Sequence, residues 1–288
     1  MFTEKVLPTV NGDFTIIDEG AGVPVLLLHG FPDSKELWND QVSALVNAGF
    51  RAIAPDLRGY GGSVQPLEKE SYAVPILMND VIGILDALNL EKVHLVGHDW
   101  GAGLGWSLVE FFEPRFSSFI SLSVGSMAST GWLTMEQKQK SWYFYLFLQE
   151  GLAEMTLASH NWAFMKQLLG RHVGVDQVIK NFEKNEHALT KALNWYRANL
   201  QHLIAQPGVE YAPTNEIPET PVPNQINIPV LGVWSTLDDY LTEAQVTLSA
   251  DLVTSFTYKK LEGVGHWMTL EAPDKVNAIL LDYLNQFK

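Results

Sequence analysis

The segment HLVGHDWGAG, at residues 94–103, places an aspartate between two glycines directly after an apolar run. A strand that turns sharply into a helix through such a small-x-acid-x-small pattern is typical of a nucleophile elbow, here with Asp99 where serine is more familiar. Gly97 and Gly101 fit this interpretation because larger side chains there would collide with the strand or the helix. Asp99 could instead only cap the following helix, which is a common task for aspartate. The segment therefore predicts a carboxylate nucleophile, with helix capping as the alternative.

Two other loops could complete the chemistry. HGFP, at 29–32, follows an apolar run, and one of its backbone N–H groups could join that of Trp100 in an oxyanion hole. The alternative is that HGFP is only a tight turn that links a strand to a helix. Near the C-terminus a glycine-rich loop presents His266 as a base, and Asp238 or Asp239 could orient its imidazole. Nucleophile, acid and histidine follow one another in the chain, each after an apolar strand, so the three loops together predict a catalytic triad.

The elements that must position these loops follow a regular alternation. From residue 14 onward, short apolar runs alternate with segments of helical periodicity, which predicts a mostly parallel sheet with helices on both faces. The run VLLL at 25–28 is apolar at every position, as expected of a central strand that is buried on both faces. We predict strands at 14–18, 25–28, 51–54, 93–96, 119–124, 230–234 and 256–260. We predict helices near 36–48, 75–88, 102–112, 242–250 and 273–286.

The middle of the chain departs from this alternation. Residues 125–227 contain several helical segments rich in aromatic side chains, which predicts a helical cap inserted into a core formed by 1–124 and 228–288. Most of the aromatic side chains are expected to form the cap's own core. The stretch 206–229 contains six prolines and cannot hold a long helix, so we predict that it returns the chain to the core.

Length, charge and composition limit the possible functions. The 288 residues suit one large α/β domain with an insertion. A net charge of −14 disfavours nucleic acid and anionic membranes as partners, and favours a small neutral, apolar substrate. The absence of cysteine excludes disulfides, a thiol nucleophile and thiolate metal ligands.

Localisation and cofactor needs can also be predicted. The longest apolar run, 23–28, is too short for a membrane span, and the N-terminus lacks a basic start followed by a long apolar run. We therefore expect a cytoplasmic protein, monomeric or homodimeric. His98 beside Asp99 has no further ligands at metal-binding spacing, and hydrolysis needs only water, so neither a metal nor an organic cofactor is expected.

Four motifs, taken together, resemble the α/β-hydrolase superfamily, and within it the branch that contains epoxide hydrolases and haloalkane dehalogenases. The resemblance covers nearly the whole chain. It implies an α/β-hydrolase fold: a mostly parallel, eight-stranded sheet flanked by helices, with an inserted helical cap. The motifs are HGFP at 29–32, DLRGYG at 56–61, GHDWG at 97–101 and GHW at 265–267.

The resemblance also implies roles for the candidate residues. Asp99 corresponds to the nucleophile and His266 to the base of that branch, and the alignment around Leu241 favours Asp238 over Asp239 as the acid. Some relatives place the acid after the preceding strand, but the loop SVGS at 123–126 offers no carboxylate.

A carboxylate nucleophile restricts the reaction. Attack of a carboxylate on a saturated carbon forms an alkyl ester, which suits epoxides or alkyl halides as substrates. Water activated by His266 would then attack the carbonyl carbon of Asp99, and the oxyanion would lie against the backbone N–H groups of Phe31 and Trp100.

The leaving group distinguishes the two substrate classes, because an epoxide oxygen needs an acid whereas a halide needs only weak donors. The segment around Tyr196 resembles one that supplies such an acid, and we align Tyr143 as a second donor with Tyr145 in reserve, although these tyrosines could be core packing. Trp100 fits either class, but Phe31 stands where many haloalkane dehalogenases carry asparagine. We therefore predict an epoxide hydrolase, in which Phe31, Trp100, Tyr143 and Tyr196 also bind the substrate. The alternatives are a haloalkane or haloacid dehalogenase and a non-catalytic protein that binds a small ligand.

Overall fold

The computed structural model describes residues 2–200 and 225–288, and one eight-stranded sheet runs through them. The strand order is β1-β2-β4-β3-β5-β6-β7-β8. Two pairings, β1 with β2 and β2 with β4, are antiparallel, and the other five are parallel. The predicted fold class, with its mostly parallel eight-stranded sheet, is therefore confirmed. The strands are β1 (Glu4–Thr9), β2 (Gly12–Glu19), β3 (Pro24–Leu28), β4 (Arg51–Pro55), β5 (Val93–His98), β6 (Phe116–Leu122), β7 (Val230–Leu237) and β8 (Phe256–Gly265).

Helices flank the sheet and also fill the connection between β6 and β7. Pro75 and Pro273 lie in the first turns of two of the flanking helices, where the missing backbone N–H has no helical partner to lose. The flanking helices are α1 (Asn39–Asn47), α2 (Val74–Ala87), α3 (Trp100–Phe111), α9 (Glu243–Thr247), α10 (Met268–Glu271) and α11 (Pro273–Leu284). The helices between β6 and β7 are α4 (Met135–Lys140), α5 (Tyr143–Phe147), α6 (Leu152–Leu169), which is kinked at 159–162, α7 (Val175–Lys184) and α8 (Ala188–Asn199).

The centre of the sheet is the best buried part of the core. Val25, Leu26, Leu27 and Leu28 of β3 are fully buried between β4 and β5, as the uninterrupted apolar run predicts. All six residues of β5 are likewise buried. A rigid, fully packed strand therefore leads directly into Asp99.

Each of the seven placed strands overlaps an observed one, but one strand was missed and two were predicted to end three or more residues too early. β1 was missed because this edge strand is polar and largely exposed, so it lacks a clear alternation of apolar side chains. β7 and β8 continue to Leu237 and Gly265, three and five residues beyond their predicted ends. Asp238 and His266 therefore follow their strands immediately.

The cap boundaries at 125 and 227 stay a prediction. Helices α4–α8 lie within this range, but most of the proline-rich segment 206–229 falls outside the described residues.

Candidate active site

The turn between β5 and α3 holds Asp99 in an unusual backbone conformation. Its φ is +52° and its ψ −123°, a region that residues with a side chain rarely occupy. The turn is tight. A Cβ added to Gly97 would lie 2.4 Å from the backbone oxygen of Gly101, and a Cβ added to Gly101 would lie 2.1 Å from the backbone oxygen of Leu28. Packing around the two glycines therefore forces the carboxylate out of the strand. This geometry is that of the predicted elbow.

The loop after β3 meets this carboxylate with a backbone donor. The N–H of Phe31 donates to Asp99 Oδ1 at 2.8 Å, and the backbone N–H of Trp100 lies near enough to the carboxyl group to help lower its pKa. Close approach requires Gly30, where an added Cβ would lie 2.3 Å from Oδ1. The two residues predicted for the oxyanion hole thus both direct N–H groups at Asp99. A negative charge that developed on Oδ1 would be stabilised there.

The loops after β7 and β8 supply a histidine and an acid. Asp238 Oδ2 lies 2.9 Å from His266 Nδ1, while Asp238 Oδ1 accepts hydrogen bonds from the N–H groups of Tyr240 and Leu241 at 2.8 and 2.9 Å. The side chain of Asp239 is 71% exposed and lies 3.9 Å from Arg171. The structure therefore places Asp238, and not Asp239, against the imidazole.

His266 joins the acid to the carboxylate of the elbow. Its Nε2 lies 3.5 Å from Asp99 Oδ2, a charge contact that is longer than a normal hydrogen bond. Burial alone would lower the pKa of His266, but the carboxylates of Asp238 and Asp99 raise it to about 10. Burial would likewise raise the pKa of Asp99, but the nearby positively charged imidazole of His266 holds it below its usual value. At neutral pH an imidazolium therefore lies between two carboxylates.

Two residues that sequence reasoning missed hold the backbone of His266. His98 Nε2 donates to the His266 carbonyl at 2.9 Å, and Ser123 Oγ donates to the same oxygen at 3.3 Å. Burial, followed by the nearby charge of His266, lowers the pKa of His98 to about 4, so His98 is neutral and carries its proton on Nε2. These contacts fix the loop on which the base stands.

Two tyrosines from the cap segment face the same site. The rings of Tyr143 in α5 and Tyr196 in α8 are buried, with their centroids 6.3 Å apart, and both contact a cavity that Asp99 also lines. Tyr145, the reserve candidate, is 56% exposed. Burial and then the negative charge of Asp99 raise the pKa of both Tyr143 and Tyr196 well above the ordinary value. Both phenols are therefore protonated at neutral pH.

Two chambers meet at the carboxylate, and Asp99, Tyr143 and Tyr196 line both. The described residues lining them include no lysine, arginine or glutamate. The first chamber, of about 280 Å³, is also lined by Phe31, Phe147, Leu168, Leu169, Tyr240, His266 and Trp267. The second, of about 550 Å³, is also lined by Val74, Trp100, Gly103, Ser107, Val124, Met127, Trp132, Phe144, Leu200 and Leu241.

Tyr240 is a further residue that the sequence did not single out. Its hydroxyl donates to the carbonyl of Leu168 in α6, and its ring lies edge-on to that of His266, with centroids 5.0 Å apart. Tyr240 therefore connects the loop of the acid to the cap segment and forms part of the first chamber's wall.

The described parts of the chain contain neither a cluster of metal-ligating side chains nor a membrane-spanning helix. Within 2–200 and 225–288, no group of three or more histidine, aspartate or glutamate side chains is arranged to hold a metal ion. None of the helices in these ranges has the length and apolar character needed to cross a membrane.

Comparison with known proteins identifies relatives of this chain. A family model described as alpha/beta hydrolase fold matches residues 23–273. Epoxide hydrolase A of Mycobacterium tuberculosis is 27% identical, with 98% of this chain and 97% of the relative covered. An epoxide hydrolase of Caballeronia sordidicola is 40% identical over a shorter region, which covers 46% of this chain and 42% of the relative.

Solved structures show the same architecture along the whole chain. One, described among novel epoxide hydrolases from metagenomes of hot environments, has a TM-score of 0.86 and 27% identity, with 99% of both chains covered. Epoxide hydrolase A from Mycobacterium thermoresistibile has a TM-score of 0.80 and 25% identity, with 99% of this chain and 98% of the other covered.

Proposed function

The chain belongs to the alpha/beta hydrolase fold family, and we propose that within this family it hydrolyses an epoxide to a vicinal diol through a covalent ester on Asp99. The observation that carries the proposal is the environment of one carboxylate. Asp99 Oδ1 accepts a hydrogen bond from Phe31 N–H, Oδ2 faces His266, and the residue lines both chambers. The similarity to several proteins named as epoxide hydrolases supports the same conclusion.

In the first step, Asp99 Oδ2 attacks one carbon of the epoxide ring. That carbon's bond to the ring oxygen breaks, and the oxygen takes a proton from the phenol of Tyr143 or Tyr196. Both tyrosines line the chambers beside Asp99 and are held in the protonated form that a general acid requires. The products of this step are an alkyl ester and a phenolate.

Formation of the ester changes the proton affinities around it. Asp99 loses its negative charge, so His266 keeps only Asp238 as an anionic partner, and its pKa falls from about 10. The imidazolium can then return a proton to the phenolate and become neutral. Loss of the charge on Asp99 therefore converts His266 from a cation into a base.

In the second step, neutral His266 takes a proton from water, and the hydroxide attacks the carbonyl carbon of Asp99. Negative charge develops on Oδ1, which already accepts the Phe31 N–H at 2.8 Å, while the Trp100 N–H lies beside the same carboxyl group. Collapse breaks the bond between this carbon and Oδ2, so Oδ2 leaves with the product as an alkoxide. The alkoxide takes the proton that remains on the newly formed carboxyl group, which completes the diol and restores the Asp99 carboxylate beside the His266 imidazolium. Epoxide and water are the only net reactants.

The chambers indicate the kind of epoxide. Their linings are mostly apolar and aromatic, and the chain as a whole carries a charge of −14, so a neutral, apolar molecule fits best. Because Asp99 lies where the two chambers meet, an epoxide with an apolar substituent on each ring carbon could extend into both.

A substrate panel with one variant tests the proposal. Styrene oxide, internal and terminal aliphatic epoxides and haloalkanes are incubated with the protein, and diol and halide are measured. We expect diol from epoxides, and with His266→Gln we expect a protein mass raised by the mass of one epoxide. Halide release without diol would instead identify a dehalogenase, for which Trp100 is suited but the Phe31 side chain offers no donor. Ligand-dependent stabilisation without any turnover would identify a binding protein.

A further inference from the structure

A second buried pair of histidine and carboxylate lies beside the active site. His172, which follows α6 in the cap segment, places Nε2 2.9 Å from Asp33 Oδ1 in the loop after β3. Both side chains are buried, although 139 residues separate them in the chain. The mechanism above uses neither residue, so the pair needs its own explanation.

The hydrogen bonds of the pair define which ring nitrogen of His172 carries the proton. His172 Nδ1 accepts the N–H of Gly174 at 3.0 Å, so Nε2 carries the ring proton and donates it to Asp33. Asp33 Oδ2 is buried and has no hydrogen-bond partner among the residues that the structure describes. Within this part of the chain, the Asp33 carboxylate therefore depends on His172 for its side-chain hydrogen bond.

Asp33 ends the turn that carries the oxyanion donor. Its backbone N–H donates to the Gly30 carbonyl at 2.9 Å, and Phe31, whose N–H contacts Asp99, lies between the two. On its other side, His172 packs edge-on against Trp267, the neighbour of His266, with ring centroids 4.8 Å apart. The pair thus connects the cap segment to the turn that supports Asp99.

We propose that His172 is a positioning residue for ester hydrolysis, because its hydrogen bond to Asp33 holds the Gly30–Asp33 turn and so keeps the Phe31 N–H directed at Asp99 Oδ1. This inference rests on the proposed function. Without this donor, the buried carboxylate of Asp33 loses its hydrogen bond to His172. The carboxylate then moves toward water, and the Gly30–Asp33 turn is displaced with it.

The two half-reactions differ in how much they need this donor. During alkylation, the Phe31 N–H contacts an oxygen whose negative charge is disappearing. During hydrolysis, full negative charge develops on the same oxygen, and full loss of one oxyanion donor slows such steps by roughly 100-fold to 1,000-fold. A displaced turn weakens the donor without removing it. We therefore expect hydrolysis to slow by at least about tenfold, and alkylation to change much less.

Two substitutions separate the hydrogen bond from the packing. His172→Phe keeps a ring against Trp267 but removes the donor, whereas His172→Gln keeps an N–H near the position of Nε2. Thr190→Val is a matched control, because it removes a 2.9 Å hydrogen bond to Glu154 that lies wholly within the cap segment. Rapid-quench mass spectrometry of the full chain with an epoxide of the panel gives the rates of ester formation and ester loss separately.

The expected result is selective. His172→Phe should accumulate ester because its loss slows at least about tenfold while its formation stays within about threefold, and His172→Gln and Thr190→Val should behave like the wild type. Unchanged ester loss in His172→Phe would overturn the proposal, as would an equal fall of both rates together with lower thermal stability. If the His266→Gln protein forms no ester with any epoxide, the proposed function itself fails, and this inference fails with it.

Discussion

Replacement of Asp238 by asparagine should leave an enzyme that forms the ester but hardly hydrolyses it. Asp238 Oδ1 accepts two backbone N–H groups, so the amide oxygen of asparagine takes that position and the amide NH₂ faces His266 Nδ1. An imidazole that must accept a hydrogen bond at Nδ1 carries its proton on Nε2. In that tautomer His266 cannot take a proton from water.

The size of the effect follows from one distance. Two unit charges 2.9 Å apart interact by about 6 kcal/mol at an effective dielectric constant of about 20. Since about 1.4 kcal/mol corresponds to tenfold, loss of the Asp238 charge lowers the proton affinity of His266 by about four decades. The same substitution in the serine protease triad lowers kcat by about 10⁴-fold. We therefore expect ester hydrolysis to slow by about 10⁴-fold.

Rapid-quench mass spectrometry measures this directly, as the rate at which the alkylated protein disappears. Asp239→Asn is the matched control, because this neighbouring acid is exposed and has only a long contact to Arg171. It should hydrolyse the ester at the wild-type rate. An Asp238→Asn protein whose ester disappears within about tenfold of the wild-type rate would refute the assignment of the acid, and a large loss in Asp239→Asn would reassign it.

Three further outcomes are expected. Tyr196→Phe should slow ester formation by about 10²-fold or more in the same rapid-quench assay, because the epoxide oxygen loses a proton donor, while Tyr145→Phe should leave it unchanged. Gly30→Ala should abolish diol formation, because its Cβ would lie 2.3 Å from Asp99 Oδ1. The pKa of His266, about 10 in the folded protein against an ordinary 6.5, implies stabilisation that is complete below pH 6.5 and lost as the pH rises through 10. The wild type and Asp238→Asn should therefore differ less in their free energy of unfolding, measured in urea, as the pH rises above neutral. A difference that does not change with pH would contradict the raised pKa of His266.

The sequence predicts best those elements whose burial is complete. The strand at 25–28 was located because both of its faces are apolar, and the turn after the strand at 93–96 could be interpreted from its glycines. The edge strand at 4–9 gave no such signal, because its side chains are mostly exposed. β7 and β8 also pair with each other beyond their apolar runs, as far as Leu237 and Gly265, whereas the sequence alone predicted earlier ends for both strands.

Choices between neighbouring residues needed the tertiary structure. Asp238 and Asp239 are chemically equal in the sequence, where only the resemblance around Leu241 favours Asp238. In the structure, the backbone donors that bind Asp238 and the position of His266 distinguish them. Tyr143 and Tyr145 differ in burial because they lie on different sides of one short helix. Contacts between segments far apart in the chain, such as those of His98 or His172, leave no local pattern to find.

The positive φ of Asp99 is a single feature that favours the proposed activity but lowers the stability of the fold. A φ of +52° in a residue with a side chain costs about 1–3 kcal/mol, and glycine would adopt it without that cost. Asp99→Gly should therefore remove the proposed nucleophile while relieving this backbone strain. At this position the proposed chemistry and the backbone conformation favour different residues.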